Sequence, residues 1–192
     1  MVDLIWEEKL KFYVEQDNQM KNLLLEKGTL NDRYHPELEK VHLNNTKMLS
    51  MLIQTHGFPV LSNAGEMGVR FSWLIIFHSI SLPAFMKESL FQMRLAAGQN
   101  DYPLDLLAYC EDLVAYLEGR KQLYGTHKDW TNGFYRTSPV EDPERLNIRR
   151  KSMGLVPVEK DSKLPYQGRP PSDPDFRKRE FNEWLSRVGW RN

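Results

Sequence analysis

The stretch from residue 64 to residue 79 constrains this chain most. Met67, Val69, Phe71, Trp73, Leu74, Ile75, Ile76 and Phe77 leave it apolar on nearly every side. A helix without a polar face belongs at the centre of a bundle. A strand over residues 71–77 is the alternative, because β-branched and aromatic residues suit a pleated surface. No hairpin partner of similar character follows, and the helix is therefore the preferred reading.

The flanking segments supply partners for that helix. Residues 3–27 carry Trp6, Leu10, Tyr13, Met20 and Leu24 at helical steps, and Gly28 stops them. Residues 36–56 start near Pro36 and present Leu38, Val41, Met48, Leu49, Leu52, Ile53 and His56 on one face, with Asn45 among them. Gly57-Phe58-Pro59 then breaks the chain. Ser81 with Pro83 reads as a helix start, Ser81 capping and Pro83 in the first turn, and Gly98 as its end. A further helix is expected over residues 103–121.

Beyond it the chain changes character. Gly125, Gly133, Pro139 and Asp142-Pro143 mark a loop region, with a short hairpin expected around Asn132-Gly133. A short basic helix over 143–153, a proline-rich arm over 156–174 and a last helix carrying Phe176, Phe181, Trp184, Leu185 and Val188 complete the chain. The expected fold class is all-α: a helical bundle of about five main helices with a loop-rich C-terminal third, an arm and a helix. The expected domains are a helical domain over 1–155, the arm over 156–174, and a C-terminal helix over 175–192 docking on the same domain.

Charge enters the argument through its distribution. Lys+Arg and Asp+Glu number 26 each, so the whole chain does not steer toward nucleic acid. From Arg120 onward there are 16 basic against 10 acidic residues, leaving 10 against 16 in the first 119. That asymmetry suits a small anionic or polar ligand near the C-terminal third, or a simple attraction between the two halves. The single cysteine, Cys110, excludes an intrachain disulfide and fits a reducing, cytoplasmic setting. The longest apolar run, residues 73–77, is too short to cross a membrane.

Four sets of residues could carry chemistry. His78 falls on a stripe that should be buried, where an imidazole needs partners for both nitrogens. It is either an acid/base group or a core histidine satisfied by a backbone carbonyl. Gln122, Tyr124, Thr126 and His127 surround a bend at Gly125, which suits either the wall of a polar pocket or a helix C-terminal cap. Asp112, beside Ala108, Tyr109 and Tyr116, must pair if buried, for example with a histidine or arginine. Arg149 and Arg150 can clamp an anion bidentately or lie on a solvated face. There is no phosphate-binding glycine loop and no G-x-S-x-G elbow, and the sequence calls for no cofactor. Without H-E-x-x-H or paired C-x-x-C a standard zinc site has no support. A three-histidine site from His56, His78 and His127 is geometrically allowed but has no motif behind it.

The succession Gly57-Phe58-Pro59, His78, Asp112, Gln122-Leu123-Tyr124-Gly125-Thr126-His127, Asp142-Pro143, Arg149-Arg150 and Gly154-Leu155 resembles an uncharacterised bacterial family known only as a domain of unknown function. The resemblance covers roughly residues 36–158, and Tyr124-Gly125-Thr126 is its most specific part. Leu113 stands where the pattern has arginine, and His127 where it has glutamine. The family implies no reaction, but it implies a common pocket involving His78, Gln122, Tyr124, Thr126 and Arg150.

These readings lead to a small-molecule-processing enzyme, a hydrolase or group transferase, with a polar pocket inside the bundle. His78, Asp112 and His127 are its expected catalytic residues. Gln122, Tyr124, Thr126, Arg149 and Arg150 are its expected ligand contacts, with no metal. The rival is a non-catalytic module that uses the C-terminal helix to engage a protein partner.

Overall fold

The computed structural model describes residues 5–30, 34–131, 134–158 and 170–191. The fold class is all-α: the described residues form seven α-helices, one short 3-10 turn and one two-stranded hairpin. They group into two compact units, one running through Pro103 and the other from Leu104 onward, a division that falls inside the helical domain expected over 1–155.

The first unit holds α1 (Ile5–Glu26), α2 (Pro36–His56), α3 (Leu61–His78) and α4 (Pro83–Gly98). The apolar helix α3 packs against all three of the others, and α1 also packs against α2. Helix α2 occupies the span its punctuation predicts. Pro36 stands in its first turn, the His35 side chain accepts from Glu37 N, and Gly57 closes it at φ 79°. Helix α3 begins three residues earlier than expected, with a kink at Gly65 (φ 67°) between its first turn and its regular part. Asp101 pins that first turn, accepting from Ser62 N at 2.8 Å and Ser62 Oγ at 2.6 Å. Gly68 sets how closely α1 and α3 approach, since a Cβ there would lie 2.8 Å from Trp6 Cβ.

Helix α4 starts at Pro83, but its N-cap is Leu82 and no side chain caps it. The sequence points to Ser81 for that role. Ser81 lies one residue before the N-cap position, and its hydroxyl donates to Glu39 Oε1 at 2.6 Å.

The second unit holds α5 (Leu104–Leu117), the hairpin β1 (Lys128–Thr131) and β2 (Phe134–Thr137), the 3-10 turn Pro143–Arg145, α6 (Leu146–Ser152) and α7 (Pro174–Val188). Helix α5 stops four residues short of the expected 121. Gly119 (φ 76°) turns the chain, and Arg120 N closes on Ala115 O at 2.7 Å. The strands pair antiparallel with Trp130 opposite Tyr135. Asn132-Gly133, on which the hairpin is expected to turn, lies outside the described residues, as do 159–169 of the proline-rich arm.

Asp173 caps α7, its Oδ1 accepting from Phe176 N at 2.8 Å. Within this unit α7 is tied to the end of α5 and to the hairpin. Arg191, just past α7, donates to Leu117 O and Tyr116 O, Phe181 stacks on Tyr116, and Arg177 pairs with Asp129 at 2.7 Å.

Candidate functional site

Three helices of the first unit bring ionisable side chains to one point. Asp17 lies on the buried stripe of α1 that runs Leu10, Val14, Asp17 and Leu24. His42 lies on the buried stripe of α2, with Leu38, Asn45, Leu49 and Leu52. His78 is the last residue of α3. Asp17 Oδ1 stands 3.1 Å from His42 Nε2, and Asp17 Oδ2 stands 2.5 Å from His78 Nδ1. The two imidazoles stack, with centroids 4.8 Å apart and planes 24° from parallel. The Asp17 and His42 side chains are each 6% exposed, while His78 is 28% exposed. The cluster is therefore closed on two sides and open at His78.

The partners fix the proton positions. Burial by itself would raise the Asp17 carboxyl, but hydrogen bonds from His42 and His78 and their charge outweigh it and hold the group well below the usual carboxylate range. An ionised Asp17 accepts from both rings, so His42 carries its proton on Nε2 and His78 on Nδ1. His42 Nδ1 is then bare and accepts from the Tyr34 hydroxyl at 2.7 Å. Burial keeps Tyr34 protonated by raising its pKa, and burial lowers that of His42, which favours the neutral ring. The ionised Asp17 is thus a buried negative charge whose hydrogen-bond donors are the two imidazoles.

Thr46 and Ser79 brace this arrangement. Their hydroxyls meet at 2.6 Å, and they also reach His42 O and Ile75 O respectively. The contact ties α2, one turn beyond His42, to the residue that follows His78. Both imidazoles thus hang from backbone that is clamped together.

The other residues singled out in the sequence gather in the second unit around a different centre. Asp112 is fully buried, and its carboxylate accepts from Leu123 N (2.8 Å), Tyr124 N (3.0 Å), Thr126 N (2.8 Å) and Thr126 Oγ1 (2.8 Å). Its partners are therefore a turn rather than a histidine or an arginine. Gln122 spends its amide in the same way: Nε2 donates to His127 O and Ser138 O, and Oε1 accepts from His127 N. Arg149 donates to the carbonyls of Leu123, Glu141 and Asp142, and Arg150 to those of Tyr124 and Val156. Gly125 is left-handed (φ 62°), as a cap would be, but the helix end belongs to Gly119. A Cβ on Gly125 would lie 3.2 Å from Thr137 Cγ2. The side-chain donors and acceptors of Asp112, Gln122, Arg149 and Arg150 thus hold their own loop.

His127 packs its ring on Tyr116, with centroids 4.0 Å apart. Burial lowers its pKa to about 4, against the pull of Asp129 and Asp112. A histidine in the unfolded chain titrates near 6.5. Between those values the unfolded state binds more protons, so stability present above pH 6.5 is lost as pH falls toward 4. The loss attributable to His127 is at most roughly 3 kcal/mol. Urea midpoints of wild type and His127→Gln across that range should converge as pH falls, the glutamine chain losing less. Parallel curves would show that His127 titrates normally.

A cleft of about 430 Å³ also opens in the first unit between α2 and α4, lined by Ser50, Ile53, Phe58, Phe85, Glu88 and Gln92 among others. None of Asp17, His42 and His78 lines it. Among the described residues no helix is long and apolar enough to cross a membrane. No family model, no curated protein and no solved structure matches the chain.

Asp17 and His42 are the site residues that sequence reasoning misses. The signal is present: each sits at the helical step where its stripe should be apolar. Of the five histidines, the partner of His78 is His42, and His56 instead meets Trp6 edge to face.

Proposed function

We propose that the chain is a small-molecule-processing enzyme, a hydrolase or group transferase, whose chemistry is centred on Asp17, His42 and His78. The observation that carries this reading is the 2.5 Å contact between the buried Asp17 carboxylate and Nδ1 of the half-buried His78. A carboxylate behind an imidazole fixes its tautomer and stabilises the imidazolium that forms during proton transfer. Among the described residues His78 Nε2 has no hydrogen-bond partner, so it is the atom placed to act. In hydrolysis it takes a proton from water while the water oxygen bonds to an acyl or phosphoryl centre. It then returns that proton to the leaving group as the old bond breaks, and Asp17 remains ionised throughout.

The rival reading as a protein-docking module draws less support. Of the C-terminal helix's apolar anchors, Trp184 is 5% exposed and Leu185 is fully buried, so neither is presented to a partner. A cytoplasmic setting belongs to the same proposal and rests on the single, buried Cys110.

The test is a melting-temperature screen with a panel of small polar and anionic metabolites. Ligands that bind only the folded state raise the transition by mass action. At least one compound should stabilise wild type and not His78→Gln. A panel in which every stabilising compound acts equally on both chains would count against the site.

A further inference from the structure

We propose that Asp17 Oδ, His42 Nε2 and His78 Nδ1 together hold one divalent transition-metal ion of the zinc type. The proposal keeps the site and the reaction class of the preceding reading and rests on them, while replacing its hydrogen bonds: the ion would stand where two N–H protons now join Asp17 to the rings. The acid–base task of His78 would then pass to water bound on the ion.

Two imidazole nitrogens and one carboxylate oxygen, each from a different helix, all lie within 4.8 Å of one another. Imidazole selects zinc-like ions over magnesium and calcium, which prefer oxygen. The spacing fits with small adjustments. Zinc at about 2.0–2.2 Å from each donor separates tetrahedral ligand atoms by about 3.4 Å, so shifts on the order of 1 Å suffice. The present separations of 3.1 Å and 2.5 Å are of hydrogen-bonded partners that an ion would replace.

Charge points the same way. The Asp17 carboxylate is buried between the two rings with no lysine or arginine paired to it among the described residues, and a dication answers that charge.

The surrounding residues are those a metal ligand needs. If His42 Nε2 binds the ion, its proton must move to Nδ1, and the Tyr34 oxygen 2.7 Å away can accept it. A phenol that now donates would then accept, which only a hydroxyl can do. His78 would carry its proton on Nε2 at the open edge. Three protein ligands with one open side describe a catalytic site rather than a closed structural one. Water on such an ion ionises near neutrality and would supply the hydrolytic nucleophile.

The experiment uses the full chain, stripped with chelator and dialysed. Zn(II) is titrated by calorimetry, and Co(II) by visible absorption. One ion per chain is expected for wild type and for the control His35→Gln. Loss of an outer partner typically costs about 10–100-fold in affinity, so Tyr34→Phe should weaken binding by at least about 10-fold. His42→Gln and His78→Gln should weaken it by more than about 100-fold, beyond that outer-partner range. Circular dichroism checks that each variant is folded. If His42→Gln does not fold, Tyr34→Phe and the tetrahedral Co(II) spectrum of wild type decide. Equal affinity in wild type and both folded ligand variants overturns the proposal, as does no binding with ion in large excess. Repeating the metabolite screen on stripped protein separates the two ideas: ligand shifts that need His78 but no ion leave the acid–base reading standing without the metal.

Discussion

Asp112→Ala is expected to destabilise the chain by about 4 kcal/mol or more, because it removes the centre of a whole turn at once. The carboxylate holds three backbone N–H groups and one hydroxyl of the 123–126 turn. Hydrogen bonds to a charged group contribute roughly 1.5–3 kcal/mol each, and an unmet buried donor costs a further desolvation penalty. The terms do not add fully, because the turn can relax toward water. Even so, the loss is a large part of the roughly 5–15 kcal/mol that a typical native fold has in total. Asp112→Asn should cost less, since its carbonyl can still accept while its NH₂ group faces other donors. Denaturant midpoints and hydrogen-exchange protection at the amides of Leu123, Tyr124 and Thr126 check both. An alanine chain as stable as wild type but devoid of activity would return Asp112 to the chemistry.

Helix α2 is legible to the residue because Pro36 and Gly57 are local signals, and α3 is legible because its apolar run has no hairpin partner that would make it a strand. The cap of α4 is not: the helix starts one residue later than a Ser81 cap would place it, and the contact Ser81 makes with Glu39 spans 42 positions. Gly119 and Gly125 are both left-handed, and only the hydrogen bonds show that the first ends α5 while the second shapes the Asp112 turn.

For the site, His78 stands out because the helical turn before it is wholly apolar. Asp17 and His42 are harder to see: each falls on the buried stripe of its helix, but α1 and α2 are rich in charged residues, among which one more polar side chain does not stand out. Their convergence is a property of three helices packed together, and no spacing within one helix records it. Gln122, Arg149 and Arg150 have the chemistry of ligand contacts, yet the same chemistry satisfies the carbonyls of an irregular loop.

His78→Gln is expected to lower kcat by about 10²–10⁴-fold on any substrate the chain turns over, with a far smaller change in KM. That range is what a positioned acid or base contributes to proton transfer. Glutamine keeps the bulk of the side chain and can donate one hydrogen bond to Asp17, so the fold and the ground-state contacts should survive. What it cannot do is accept and return a proton. A loss confined to kcat is the signature of an interaction made in the transition state, whereas a rise in KM alone would mark His78 as a binding group. Asp17→Asn sharpens the reading. It leaves His78 in place but removes the charge that fixes its Nδ1 proton, so the ring can turn or adopt the other tautomer. A loss comparable to that of His78→Gln is therefore expected, and the double variant should be little worse than either alone, because residues that act as one unit do not add. Additive losses in that cycle would mean that Asp17 and His78 work separately, and that their 2.5 Å contact serves only the packing of α1 against α3.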